Sequence, residues 1–523
     1  MCRSHWLSIL FVLSFLSVTP CFSLGGEVAN VSFQRDTVSS DKYQLRAVWL
    51  TTNYGLDWPN SVAVNAQSEA KQQKELITLL DNLESIGVNT IFLQVRSRGR
   101  LIYPSVLEPL STDLVALGST YRLSYDPLKF AIQESHKRGI AVHAWIVVVP
   151  YGNDKEVRSL PEDSYPKAHS AEMIHYNGHW FMDPHSPSTI NHLRALVREL
   201  LVKYPVSGIH LDYIRYPDRT SNFPDGGAFA KSKSDDLAIW RRRNINNIVV
   251  AVRSEMQAYS EASSYSPLLS TAVLGRYKQP MEQKKGMWTA FDSVYQDPID
   301  WASQGAVDFI VPMMYFRGGS FPYFLNQWQC YVSGVNKKCG IVVGLAPYMV
   351  DEKEGGWARD EVPKQMAYID SLTVSLDSDT DRILKGVALF RAEHTIGSRY
   401  GVSSLIKSEW AKTNKLPWRG DIKRKLYPQQ GLLIEACSEG LGISWVAEGE
   451  SSLYSLYLTF DGSEPTGDDV PYLTTTDTKV IIPWDKLGSE ALVGCRVGIY
   501  DLVTCDEIIP IESGWYYYHS NTE

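Results

Sequence analysis

Reactive side chains stand at the end of an apolar run in the stretch Gly208-Ile209-His210-Leu211-Asp212-Tyr213-Ile214-Arg215-Tyr216-Pro217. An apolar run from Val206 to Leu211 ends there in a carboxylate flanked by Tyr213 and Arg215, and Pro217 bars its continuation as a central strand. Such a run is expected to be a buried parallel strand that delivers charge at its C-terminal end. Acids are rarely buried without partners, so Asp212 is either ion-paired to Arg215 or poised for chemistry. The chemistry that suits it is hydrolysis of a glycosidic bond, which needs two carboxyl groups flanking that bond. Candidates for the second are Asp297, in Tyr295-Gln296-Asp297-Pro298, and Glu393. Each has a structural alternative: an Asp before Pro298 suits a helix N-cap, and Glu393 can pair with Arg391 or Arg96. Glu108, Asp57 and Asp183 are further candidates for the second carboxyl, behind Asp297 and Glu393.

These groups need a frame, and from Leu45 onward short apolar strands alternate with amphipathic helices. Strands are expected at Arg46–Thr52, Thr90–Arg96, Ala141–Val149, Val206–Leu211, Leu268–Gly275, Asp308–Tyr315, Ile341–Tyr348 and Gly386–Glu393. The helices between them are Glu69–Ile86, Pro127–Arg138, Ser188–Tyr204 with Ser188 as N-cap, Asp235–Ala262, Pro298–Gln304, Phe321–Val332, Glu361–Leu376 and Val402–Lys412. Eight strand-then-helix units predict a closed parallel (β/α)8 TIM barrel over residues 44–412, because right-handed crossovers and burial on both faces leave few other solutions. An open doubly wound sheet is the alternative. Residues 413–430, with Lys415, Arg419, Lys423, Arg424 and Lys425 around Pro417 and Pro428, read as a linker. Beyond Gly431, short alternating strands such as Leu453–Phe460 and Lys479–Pro483, with a turn at Asp461-Gly462, predict a small all-β sandwich over residues 431–523. Its pattern fits the immunoglobulin or fibronectin-III type.

In a TIM barrel the C-terminal strand ends carry the active site. At those positions the chain offers, as substrate-binding groups, Asn53, Asp57, Gln94, Arg96, His143, Trp145, His210, Tyr213, Arg215, Tyr315 and Tyr348. Arg276, Arg391 and Glu393 complete the ring. Unsatisfied polar groups are costly at strand ends, so this concentration calls for a ligand or for a hydrogen-bonded layer that closes the barrel. Aromatic residues at or beyond the same ends, including Trp49, Tyr54, Trp58, Trp180, Trp288, Phe316 and Trp357, suit sugar rings, whose C–H faces stack while the hydroxyls take hydrogen bonds. His143 and His210 beside Asp212 make a poor metal set, and neither a metal nor a cofactor is expected. The chain has no Gly-x-Ser-x-Gly elbow, phosphate loop or His-Glu-x-x-His.

Composition is that of an ordinary globular protein, with 44% hydrophobic and 21% charged residues, and a net charge of −8 argues against a nucleic-acid partner. The basic run Arg241-Arg242-Arg243 reads as the solvated face of a helix. Arg3 and His5, an apolar core from Trp6 to Val18, and Pro20-Cys21-Phe22-Ser23 read as an export signal over residues 1–23, with cleavage expected after Ser23 and lipidation at Cys21 as the alternative. That core is too short to span a bilayer, and no other segment approaches the roughly 20 apolar residues required. The mature chain is therefore expected in the periplasm or at the cell surface. Of seven cysteines, Cys2 and Cys21 fall in the signal. The remaining five fit no zinc or redox motif. Cys330 and Cys339 could close a short loop, and Cys437, Cys495 and Cys505 lie in the last domain.

Several pieces together resemble the glycosyl-hydrolase-10-like proteins, a bacterial set of exported glycosidases. They are Arg46-Ala47-Val48-Trp49-Leu50-Thr51-Thr52 with Leu56-Asp57-Trp58-Pro59, Asn89–Arg96, Tyr125-Asp126-Pro127-Leu128, and His136-Lys137-Arg138-Gly139 ahead of His143-Ala144-Trp145. Gly208–Pro217, Asp297 with Trp301, and Asp308–Tyr315 continue the match, which covers about residues 44–410. The resemblance implies a TIM barrel with retaining or inverting glycosidase chemistry on bacterial carbohydrate. A related member is understood to cut peptidoglycan glycan strands stripped of their peptides. The family often has Pro-Gln-Ile-Tyr-Trp where this chain has Pro312-Met313-Met314-Tyr315-Phe316, and Asn-Pro where it has Val149-Pro150. The expectation is an exported glycoside hydrolase acting on a polysaccharide, peptidoglycan strands first, through Asp212 with Asp297 or Glu393. The competing reading is a glycan-binding protein that uses the same cleft without catalysis.

Overall fold

The computed structural model describes residues 42–263, 265–279, 286–374, 383–397, 400–418, 424–427, 431–447, 449, 452–467, 470–487, 490–504, 507–510 and 513–519. The expected export signal, with Cys2 and Cys21, lies outside these residues, as does Cys505. Among the described residues no helix is long and apolar enough to cross a membrane.

Eight strands form the frame: β1 (Leu45–Leu50), β2 (Thr90–Ser97), β3 (Ala141–Val147), β4 (Gly208–Asp212), β5 (Leu268–Leu274), β6 (Phe309–Met313), β7 (Gly340–Leu345) and β8 (Leu384–Phe390). They hydrogen-bond in the order β1-β8-β7-β6-β5-β4-β3-β2, and β1 pairs with β2, so the sheet closes on itself. Every neighbouring pair is parallel, as a TIM barrel requires. Strands β2 and β4 each run one residue further than expected, to Ser97 and Asp212, whereas the other six expected strands run one to three residues too far at their C-terminal ends. There the polar residues leave the ladder and turn into the loops.

The intervening helices are α1 (Ala66–Ser85), α2 (Pro127–His136), α3 (Pro187–Lys203), α4 (Leu237–Ser263), α5 (Pro298–Ser303), α6 (Ser320–Val335), α7 (Glu361–Val374) and α8 (Ser403–Trp410). Helix α1 starts at a reciprocal cap between Asn65 and Ser68 and buries Leu76, Leu80 and Leu83. Helix α3 begins earlier than expected. Its cap is Ser186, whose hydroxyl accepts the Ser188 N–H at 3.1 Å, because Pro187 takes the first helical position where no N–H is needed. Between β3 and α3 the chain adds a three-stranded antiparallel sheet, Pro150–Asn153, His179–Met182 and Met173–Tyr176, where an open loop is expected from sequence.

Alternate strand residues fill the barrel interior. Leu45, Ala47, Phe92, Ala141, Leu268, Phe309 and Val342 pack at its N-terminal half. Leu416, Trp418, Leu453, Tyr500 and Leu502 join the same cluster, so the C-terminal module seals the N-terminal mouth. That module has two sheets, one of Leu433–Ala436, Gly440–Ser444 and Lys479–Pro483 and one built around Glu490–Asp501. Between them lies a core of Leu441, Ile443, Leu456, Val493 and Cys495. Arg424–Tyr427, inside the stretch expected to be linker, is a strand that pairs in parallel with Glu507–Pro510. Cys330 and Cys339 are both free, the first exposed on α6 and the second buried, so the short loop between them is not cross-linked.

Candidate active site

Asp212 ends β4, and the two-residue parity of a strand turns Gly208, His210 and Asp212 to the same interior side. Tyr213 follows with a φ of 48°, a left-handed turn that brings its own N–H back to Asp212 Oδ1 at 2.7 Å. Trp145, one strand over on β3, donates its indole N–H to Oδ2 at 3.1 Å. Burial outweighs these two donors and the nearby Arg215 charge, and pushes the Asp212 carboxyl up to about 6. Arg215 is held by Asp218 at 2.8 Å and lies between the rings of Tyr213 and Trp288, at 4.8 and 5.5 Å. Asp212 is thus not tied directly to Arg215. It is a buried acid with neutral donors and a cation at second remove.

Across the barrel, β8 ends at Phe390, and a cis peptide joins it to Arg391. Arg391 bonds Asp57 Oδ1 at 2.5 Å and Glu393 Oε2 at 2.6 Å, and the Glu393 N–H donates to the same Asp57 oxygen at 2.9 Å. Burial raises the Asp57 carboxyl while Arg391 opposes the rise. Glu393 keeps 48% of its side chain exposed. Tyr315 and Tyr348 stand with Phe390 as an aromatic wall, ring centroids 5.7 to 6.2 Å apart. Burial raises the Tyr315 hydroxyl well above its ordinary range, with the Tyr348 and Asp212 charges adding to it.

Other expected site residues serve elsewhere. Asp297 caps α5, accepting the Asp300 N–H at 3.3 Å, and takes the Tyr277 hydroxyl at 2.7 Å. His210 lies one layer below Asp212, stacked 4.1 Å from Phe92, with Trp49 donating to its Nε2 and Ser270 against its Nδ1. His143 lies lower still, beside Phe92 and Phe309, above Gly208, where a Cβ would come within 2.5 Å of its ring. Both histidines are core, not cleft. Arg96 is committed to Glu108 through two bonds of 2.8 and 2.6 Å, with His192 and Tyr151 completing the carboxylate's shell. The pair is buried, and Arg96 and His192 together hold the Glu108 carboxyl down to about 2. Gln94 takes N–H groups of Thr52 and Asn53 and the Thr51 hydroxyl, so it shapes the loop after β1. Asn53 is half-buried on that loop and accepts from Ser97 at 3.2 Å. The structure therefore gathers Asp212, Trp145, Tyr213 and Arg215 on one side and Asp57, Arg391 and Glu393 on the other. Phe390 was not foreseen, although its register opposite the inward-facing Trp49 carries the signal.

Residues 44–358 match the glycosyl hydrolase-like 10 family. The chain belongs to that family. Glycosyl hydrolase-like 10 membership makes it a glycoside hydrolase, with the buried acid of β4 inside the matched region. Among curated relatives, glycosyl hydrolase DigH of Escherichia coli K12 is 28% identical over 389 residues, covering 68% of this chain and 85% of its own. Glycosyl hydrolase YngK of Bacillus subtilis 168 is 24% identical over 417 residues, covering 76% and 78%. Among solved structures, the PgaB (BpsB) glycoside hydrolase domain from Bordetella bronchiseptica is similar at a TM-score of 0.47 and 11% identity, over 70% of this chain and 99% of that one. The α-L-fucosidase isoenzyme 2 from Paenibacillus thiaminolyticus gives 0.45 at 14% identity, over 71% and 49%.

Proposed function

We propose that this glycoside hydrolase is exported and cleaves the glycan strands of bacterial peptidoglycan, with Asp212 as its proton donor. The observation that carries this reading is the Asp212 carboxyl near 6, buried at the end of β4. A carboxyl so placed is protonated in mildly acid medium and can give its proton to the leaving glycosidic oxygen as the C1–O bond breaks. The carboxylate left behind is then met by the Trp145 and Tyr213 N–H groups. Strands β4 and β8 stand four places apart in the closed ring, on opposite sides. Glu393, just past β8 and half-exposed, acts as the base or nucleophile, whereas Asp297 is occupied by its cap and Tyr277. Trp145, Tyr213, Arg215, Tyr315 and Tyr348 hold the sugar. The signal expected in residues 1–23 brings the enzyme to the compartment of that polymer.

The test is release of soluble fragments from purified peptidoglycan, intact and peptide-stripped, by the mature chain and by Asp212→Asn and Glu393→Gln. Release by the wild type and loss in both variants is the expected result. Full activity in Asp212→Asn overturns the assignment, and saturable binding without release from either substrate replaces cleavage with glycan binding at this cleft.

A further inference from the structure

Arg276 stands at the same rim, two residues past the end of β5, the strand that lies between β4 and β6. Its backbone is locked. A Cβ on Gly275 would meet Met313 O at 2.2 Å, and the Gly275 carbonyl accepts the Trp328 indole at 2.8 Å. The guanidinium lies 4.7 Å from the Phe316 ring and 5.2 Å from the Phe324 ring. Phe316 is fixed in turn, its carbonyl taking Gln365 Nε2 at 2.8 Å, and it directly follows Tyr315 of the aromatic wall.

What sets Arg276 apart is that no described residue supplies it a counter-charge. Arg96 is met by Glu108, Arg215 by Asp218, and Arg391 by Asp57 and Glu393. Among the described residues Arg276 has neither a carboxylate nor a carbonyl against its side chain, and its Nε is enclosed with no acceptor. Burial lowers its pKa, and no acid opposes the change. A partly desolvated guanidinium without an anion is unfavourable, and aromatic faces recover only part of the loss. Its planar fork matches a carboxylate through two parallel bonds, and two flanking rings hold the fork ready at low entropic cost. The cleft it borders takes a glycan, so the anion belongs to that glycan.

We propose that Arg276 is a specificity-determining residue that binds a carboxylate carried by a sugar of the substrate. The inference rests on the glycoside hydrolase reading of this cleft and narrows it to acidic strands. Peptide-stripped peptidoglycan has this chemistry, since removing the peptide exposes a carboxylate on alternate sugars.

The experiment compares peptide-stripped strands with the same strands after their carboxylates are converted to neutral amides, using wild type, Arg276→Gln and Arg276→Lys. Cleavage and equilibrium binding are both measured, and thermal melting checks each variant's fold. Wild type should lose about ten- to a hundredfold in kcat/KM and in affinity when the strands are amidated. Arg276→Gln should show that same loss on acidic strands, carried by KM, with no further loss on amidated ones. Arg276→Lys should fall between them. Equal losses on both substrates, or wild-type discrimination in Arg276→Gln, overturn the proposal, and so does binding that amidation leaves unchanged. If the wild type cuts neither substrate, the glycosidase assignment on peptidoglycan fails separately, and the binding arm alone decides: carboxylate-dependent binding lost in Arg276→Gln supports the site, and its absence overturns it.

Discussion

At the N-terminal mouth of the barrel the buried ammonium of Lys42 bonds Glu507, whose other oxygen takes the Tyr43 hydroxyl at 2.5 Å. Ser207 donates to the Leu502 carbonyl at 2.6 Å, and Tyr500 to that of Pro417 at 2.9 Å. At the opposite rim, Asp212 is also buried, but among the described residues it takes hydrogen bonds from an indole and an amide alone, and Arg276 has two aromatic faces. The side chains are of the same kinds, and the difference lies in how completely each charge is answered. Answered charges hold two parts of the chain together, while a charge left short of partners can still exchange a proton or take a ligand.

The contrast breaks most sharply at Asp212. Asp212→Asn is expected to lower kcat by about 10²–10⁴ with the fold intact, measured as fragment release beside a melting curve. At the mouth the effect should be the reverse. Glu507→Gln leaves Lys42 buried without its anion and should cost about 3–5 kcal/mol in denaturant unfolding, while kcat of the folded enzyme stays near wild type.

A third expectation follows from proton linkage. The folded-state carboxyl of Asp212 stands near 6, above its unfolded value, so the native state binds more protons than the unfolded state between about pH 4 and 6. Its contribution is therefore favourable at low pH and is lost as pH rises through 6. Relative to wild type, Asp212→Asn should gain up to about 3 kcal/mol between pH 4 and pH 7, read from paired unfolding curves. A difference that does not change with pH would show that this acid is not held in its neutral form. The smallest effect is at Trp145. Trp145→Phe removes a donor that favours the ionised carboxylate, so the alkaline limb of the pH–activity profile should move upward by less than about one unit.

The barrel was legible because each strand is an apolar run and each helix an amphipathic one, and neither signal needs distant partners. Strand parity along Gly208–Asp212 turns His210 and Asp212 to one inner side. It could not tell their depth, which depends on Phe92 and Trp49 from other strands stacking around the imidazole. Arg96 looked like a rim group until Glu108, on a loop of no regular pattern, came back to meet it. Asp297 shows the opposite case, since its local cap pattern beside Pro298 was readable and is what the structure uses. Arg424–Tyr427 has no strand pattern of its own and owes its form to Glu507–Pro510, about eighty residues on.

The bond between Lys42 and Glu507 also sets an order of events. A residue just ahead of the first barrel strand has its counter-ion in one of the last strands of the final module, and the bridge between Tyr43 and Leu416 lies beside it. During synthesis, every helix and strand of the barrel is available before the group that locks its floor exists. Until Glu507 emerges, the nascent chain must keep the ammonium of Lys42 in water, and the floor stays open beneath an otherwise complete ring.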